Sequence, residues 1–318
     1  MNNANTPTED YQFLIKQAIK APSGHNTQPW IFKINEEKIE ISPDFKRSLP
    51  VVDPDNRELF ISLGCATENL CIAASLKGYT PQVNTTKDGH IFIKLETDKQ
   101  IKPSPLAEQI SIRQTNRSLY SGKVIPDTIL DELKETELDA GVGIHFYAKG
   151  TKEFDSISNF VVKGNTLQMQ DEAFREELKS WMRFNKKHQD RTNDGLSYAV
   201  FGAPNLPLFI VKPIISSFLN AEKQNKGDIK KMQSSSHFVL FTTQDNTQEQ
   251  WINLGRSLER FLLKSTQSGI SHAYLNQPNE IKELSVEMTK ALNLSEYPTI
   301  ILRLGYGERQ PYSKRIEI

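Results

Sequence analysis

Two stretches with matched glycine spacing constrain this chain more than any other feature: GCATENLCIAASLKGY from Gly64 and GRSLERFLLKSTQSGI from Gly255. In each, one glycine precedes another by fourteen residues, and the residues between them are apolar at helical intervals. Leu70, Ile72, Ala73 and Leu76 mark one stripe; Leu258, Phe261, Leu262 and Leu263 mark the other. Both predict long buried helices that stop at Gly78 and Gly269, since glycine enters the left-handed cap conformation without steric cost. Each helix is followed by a strand, IFIKLE from Ile91 and TIILRLGYG from Thr299.

A second matched pair precedes the first in the same order. Thr6-Pro7-Thr8-Glu9 reads as a helix start, with Thr6 as cap and Glu9 closing a capping box. The helix carries Leu14, Ile15, Ala18 and Ile19, stops in APSG, and leads to a strand around Trp30 to Ile34. From Val124 the plan repeats: Pro126 opens a helix with Ile129, Leu130 and Leu133, and a strand around Ile144 to Tyr147 follows. Two pairs in register predict two homologous halves, 1–105 and 106–318.

The halves differ by an insertion at about 151–235. It holds a charged amphipathic helix (DEAFREELKSWMRFNKK from Asp171), a turn at Gly202, an apolar stretch to Leu219 and a polar KQNKGDIKK run. The apolar stretch carries Lys212 and Pro213 and is too short to span a bilayer, which predicts a helical, lid-like cover over a buried site. Lysine plus arginine equals aspartate plus glutamate at 39 each, so no overall field draws nucleic acid or a membrane surface. The N-terminal MNNANTPTEDYQF has neither a basic start nor an apolar run, and a cytoplasmic protein is expected. Cys65 and Cys71 lie on one helix about 9 Å apart along its axis, which excludes a disulfide. The six histidines show no ligand spacing, and no metal site is expected.

Two clusters carry chemistry. Ala21-Pro22-Ser23-Gly24-His25-Asn26-Thr27-Gln28-Pro29-Trp30 is a proline-led turn of small polar side chains that can press backbone and amides against a flat polar ring. On residue chemistry alone, a turn whose Asn and Ser satisfy local backbone is the simpler account. Ser111-Ile112-Arg113-Gln114-Thr115-Asn116-Arg117 sets two guanidinium groups and a hydroxyl close together, which suits a phosphate, though a solvated basic turn has the same composition.

The order of residues in the first cluster resembles the nitroreductase motif of proline-serine followed by asparagine, glutamine, proline and tryptophan. That resemblance implies an α+β flavoprotein fold that normally dimerises with FMN in the interface. It implies that Pro22, Ser23, Asn26 and Gln28 touch the ribityl chain or the ring. The second cluster is similar to the R-x-S-x-[RK] element of the same family, with Thr115 in place of serine. The resemblance puts Arg113 on the FMN phosphate, Arg117 near the pyrimidine edge, and Gln114 and Thr115 beside them. Leu275-Asn276-Gln277-Pro278 aligns with a segment that contacts the flavin's redox nitrogen, although the family's Glu-Gly pair is absent here. Lys314 and Arg315 resemble a C-terminal basic pair that reaches the phosphate.

Each motif occurs in one half only, which predicts a pseudo-dimer with one FMN site, made from the first half's loop and the second half's arginines. No G-x-G-x-x-G follows a strand and no Walker A sequence is present, so NAD(P)H would be a visiting substrate. No catalytic side chain is expected, because the cofactor carries the chemistry. Asp53-Pro54-Asp55-Asn56-Arg57-Glu58 resembles a stretch of a fused, lidded branch of the family. The implied activity is electron transfer from NAD(P)H through FMN to a nitroaromatic, a quinone or a similar acceptor. The alternative is FMN storage under a closed lid. The chain would act as a monomeric pseudo-dimer or as a homodimer of it.

Overall fold

In the computed structural model, residues 7–35, 38–201, 204–207, 210 and 219–318 are described. Helix α1 (Pro7–Ala18) forms where expected and buries Leu14, Ile15 and Ala18 on one face. The cap assigned to Thr6 lies outside the described residues. Strands β1 (Trp30–Ile34) and β2 (Lys38–Pro43) then pair antiparallel. Helix α2 (Arg57–Ala74) follows, and β3 (Tyr79–Thr85) and β4 (Ile91–Thr97) complete a sheet of order β1-β2-β4-β3. Gly78, at φ 74°, ends the helix as predicted, but the last turn tightens over Ser75–Lys77 and swings Leu76 outward, leaving it 44% exposed instead of in the buried stripe.

The second half begins with α3 (Asp127–Lys134) and β5 (Val142–Ala148). Next come α4 (Lys152–Gln170), α5 (Glu172–Trp181), β6 (Met182–Arg183), α6 (Lys186–Thr192), β7 (Leu196–Ser197) and α7 (Ala221–Gln233). The chain returns through β8 (His237–Thr243), α8 (Gln248–Gln267), β9 (Ser271–Tyr274), α9 (Lys282–Ala291) and β10 (Tyr297–Gly305). The second sheet is ordered β5-β8-β10-β9 with every pair antiparallel. Strand for strand this repeats the first sheet, and each long helix joins the second strand of its sheet to the third.

The insertion therefore falls inside a strand connection. Where β1 turns directly into β2, residues 149–236 separate β5 from β8. The helix expected from Asp171 to Lys187 breaks after Trp181, because Met182 and Arg183 pair in parallel with Leu196 and Ser197. The polar run after Leu219 is helical in α7, whose first turn is capped by the Asn220 side chain. Residues 202–203, 208–209 and 211–218, with the expected Gly202 turn and most of the apolar stretch, lie outside the described residues.

Helices α2 and α8 pack against each other between the sheets, where Ile39, Ile41, Ile91 and Ile93 face inward from one side and Val239, Phe241, Ile300 and Leu302 from the other. The second sheet is covered on its far face too, by Phe154 and Ile157 of α4, Met232 of α7 and Met288 of α9 against Phe238, Leu240 and Ile301. This double burial is why β8 is buried at every position and shows no alternation. The α2 segment is apolar and long enough to cross a membrane by length and composition, but 94% of it is buried inside the protein, as a core helix is. Cys65 and Cys71 are both free, and no group of His, Cys, Asp and Glu able to hold a metal occurs among the described residues.

Candidate functional site

The loop from Pro22 to Gln28 runs from α1 to β1 and takes a strained path. His25, Asn26 and Gln28 have φ of 46°, 56° and 55°, the left-handed region that asparagine tolerates and that the other two enter at a cost of order 1 kcal/mol. Local bonds hold the turn: Asn26 N donates to Ser23 O at 3.0 Å, Thr27 N to Gly24 O at 2.9 Å, and Gln28 N to the Ser23 hydroxyl at 3.0 Å. The amides of Asn26 and Gln28 reach outward. Asn26 Nδ2 donates to the carbonyls of Gly195 and Lys314, both at 3.2 Å, and its Oδ1 accepts from Arg315 at 2.9 Å. Gln28 Nε2 donates to Asn193 O at 3.0 Å, and its Oε1 accepts from Ile316 N at 2.9 Å. The loop thus meets the insertion's 193–195 turn on one side and the C-terminal tail on the other.

The arginines of the second half converge on the same place. Arg113, 5% exposed, donates through Nη2 to Lys20 O at 2.7 Å and pairs through Nε with Glu259 at 3.3 Å. Arg315 also donates to Lys20 O, at 3.2 Å. Burial, opposed by Arg113, lifts the Glu259 carboxyl to about 7. Arg117 lies beside His25, whose imidazole is driven down to about 4 by burial and then by Arg117, so the ring is neutral at neutral pH. Gln114 exchanges two hydrogen bonds with the Gln310 backbone, at 2.7 and 3.0 Å, and Thr115 bridges to His272 in β9. Lys314 pairs with Asp190 of the insertion.

Asn276 and Gln277 sit at the edge of this assembly. Asn276 Oδ1 accepts from Ile301 N at 2.9 Å, which turns its Nδ2 to Glu58 at 3.0 Å. Glu58 in turn backs the loop: a Cβ added at Gly24 would stand 3.1 Å from Glu58 Oε2. Gln277 lies under α4, with its Cβ 2.8 Å from where a side chain on Gly164 would begin. Its Oε1, like Nδ1 of His25, is buried without a protein partner. These two orphaned atoms and the surplus of guanidinium at Lys20 fit a polar, planar, anionic group such as FMN.

Some of the site's carboxyls were not anticipated. Glu58 and Glu280 hydrogen-bond each other, Gln168 of α4 donates to Glu280, and Asp53 accepts from Leu59 N at 3.0 Å. Burial and then Glu58 raise Asp53 to about 7 and Glu280 well above its ordinary value. The acidic Asp53–Glu58 stretch was the available signal, but Glu280 arrives from far along the chain.

The residues at the corresponding positions of the other half form an ion network. Glu68 follows Gly64 by four residues, as Glu259 follows Gly255. Glu68 meets Arg256 at 3.0 Å and Arg260 at 3.6 Å, and both arginines also pair with Asp139. Two arginines there pair with two carboxylates, whereas at the loop Arg113 pairs with Glu259. The residues equivalent to Arg256 and Arg260 are Cys65 and Asn69.

No protein-family model matches the chain. It is 23% identical to "Putative NAD(P)H nitroreductase Rv3131" of Mycobacterium tuberculosis (strain H37Rv), over 96% of this chain and 88% of that protein. It is 20% identical to the protein named acg of the same organism, over 96% and 91%. Among solved structures, the FMN-dependent nitroreductase NfnB from Mycobacterium smegmatis, in complex with NADPH, superposes with a TM-score of 0.41 at 11% identity, over 64% of this chain and 88% of that one. A nitroreductase-named structure from Anabaena variabilis gives 0.48 at 10% identity, over 85% and 69%. The chain is thus similar, along nearly its whole length, to mycobacterial proteins that carry the name NAD(P)H nitroreductase.

Proposed function

We propose that this chain is an FMN-binding, nitroreductase-like oxidoreductase built as an internally duplicated pseudo-dimer. In this reading it has two halves, 1–105 and 106–318, and one flavin site. The observation that carries it is the convergence at Lys20 O of the first half's Pro22–Gln28 loop with Arg113 and the C-terminal tail of the second half. Arg113 and Arg117 would hold the phosphate and the pyrimidine edge, and Ser23 and Thr115 would supply hydroxyls. Asn26, Gln28, Gln114 and Asn276, engaged at both ends of their amides, would shape the walls. Lys314 would add positive charge at the rim, and Gln277 would offer its unpartnered carbonyl oxygen.

Bound FMN would take hydride from NAD(P)H and deliver electrons to a nitroaromatic, quinone or similar acceptor. The chain's own residues orient the ring, neutralise its charge and exclude water. His25, neutral at neutral pH, adds no second positive charge beside Arg117. A cytoplasmic setting agrees with two free cysteines.

A second reading, flavin storage, is favoured by how the insertion sits. Glu177 accepts from Val51 N and Val52 N at 3.0 and 2.9 Å, and Asp194 joins Arg47 to Arg183 against the loop. The test is an absorption spectrum of the purified protein followed by anaerobic mixing with NADPH. A yellow protein with about one FMN per chain that bleaches rapidly supports the oxidoreductase. A yellow protein that stays unreduced under excess NADPH supports storage. A colourless protein that takes up no added FMN removes both.

A further inference from the structure

Each of the three guanidinium nitrogens of Arg315 donates to the protein. A guanidinium carries five N–H groups in one fixed plane. Nε donates to Ile19 O at 2.8 Å, and Nη2 donates to Lys20 O and Ala21 O, both at 3.2 Å. Nη1 donates to Asn26 Oδ1 at 2.9 Å and to the carbonyls of Lys314 at 3.1 Å and Ser313 at 3.3 Å. Ile19, Lys20 and Ala21 lie just past the C-terminal end of α1, where a helix leaves carbonyls unpaired and its dipole is negative. One side chain therefore caps α1 and grips the loop that follows it.

The grip fixes the loop's orientation. With Oδ1 of Asn26 held by Arg315, its Nδ2 must point to the carbonyls of Gly195 and Lys314, which locks a left-handed residue against both the insertion and the tail. One residue further along the tail, Ile316 N holds the other left-handed amide, Gln28.

We infer that Arg315 is a positioning residue, which holds the Ser23–Gln28 loop in its left-handed form for the flavin and does not itself bind the flavin's phosphate. This departs from the phosphate role implied by the family resemblance, and it rests on the flavin reading above. Lysine cannot replace it, because a single ammonium offers three donors from one point instead of five in a plane.

The test compares FMN with riboflavin, which lacks the phosphate, in titrations of flavin-stripped wild type, Arg315→Lys and Arg315→Ala. Folding is followed by circular dichroism, and the bound flavin's visible spectrum is recorded. Both flavins should weaken by the same factor, roughly tenfold or more, with a shifted visible spectrum and partial recovery of the alanine variant in millimolar guanidinium. The lysine variant carries the comparison if the alanine variant does not fold. Weakened FMN binding with unchanged riboflavin binding would make Arg315 a phosphate ligand and overturn the inference. Unchanged affinities for both flavins, with only a lower melting temperature, would reduce it to a stability residue and overturn it as well. Wild type that binds neither flavin would remove the flavin reading itself, a result distinct from the other two.

Discussion

Gly64 and Gly255 stand face to face, and each occupies the space that a side chain on the other would need. A Cβ on Gly64 would lie 2.9 Å from the Gly255 Cα and against the Ile252 carbonyl; a Cβ on Gly255 would lie 2.9 Å from the Gly64 Cα and against the Ile61 carbonyl. Ile61 and Ile252 each precede their glycine by three residues, so the contact reads the same from either helix. Gly64→Ala or Gly255→Ala should force α2 and α8 apart and cost about 3 kcal/mol in urea unfolding, the upper range for overpacking. Gly227→Ala is the control: nothing lies within 4 Å of its would-be Cβ, and it should stabilise α7 by about 0.5–1 kcal/mol.

The ion network of Glu68, Asp139, Arg256 and Arg260 should matter less than its size suggests. Asp139 touches both Arg256 and Arg260, but those side chains retain 22% and 13% exposure, so water screens them. Asp139→Asn should cost about 1–2 kcal/mol, between exposed and buried pairs, measured by the denaturation midpoint. It should leave flavin affinity unchanged; a large loss of flavin would mean that the two places are not separate.

The seating of the insertion can be probed at one carboxylate. Glu177 is the acceptor for two successive backbone amides, Val51 and Val52, near an apolar contact of Leu49 and Val52 with Met169 and Phe174. Glu177→Ala should open this edge by about 1 kcal/mol. Hydrogen exchange at Val51 and Val52 should quicken five- to tenfold while amides in β8 keep their protection.

Much of this fold was legible in the sequence because its signals are local. The glycine caps at Gly78 and Gly269 and the stripes of α1, α3 and α8 depend on neighbours within a turn or two. Strand β8 was hidden because burial on both faces removes the alternation that would mark it. The break after Trp181 was hidden because its cause is pairing with Leu196. At the site, the loop and the arginines were legible as residue types. The partners of Asn26 and Gln28, at Lys314 and Ile316, leave no trace at that distance along the chain, so the tail's grip on the loop could not be read.

The carboxyl group around Glu58 predicts a pH effect with a definite sign. Asp53, ordinarily near 3.8, is held at about 7 by burial and then by Glu58, so between those values the folded chain binds more protons than the unfolded one. Its contribution is fully present below about pH 4 and is lost as pH rises through about 7. Glu280, also raised, moves the same way. Glu58→Gln keeps an acceptor for Asn276 but removes the charge, so its denaturation midpoint should fall less than that of wild type between pH 5 and 8. His25 and His272, lowered to about 4 and about 3, act in the opposite direction in both proteins and cancel in the difference. Parallel pH profiles would exclude Glu58 as the cause.

The helices that meet at Gly64 and Gly255 belong to one polypeptide, and that connection sets how the protein responds to dilution. Two separate subunits joined by such a contact drift apart as their concentration falls, and any ligand held between them is released with them. Here the partner surface is tethered, its effective concentration is fixed by the chain, and no dilution reaches it. A site built across this contact would keep its ligand in a cell that makes only a few copies of the protein.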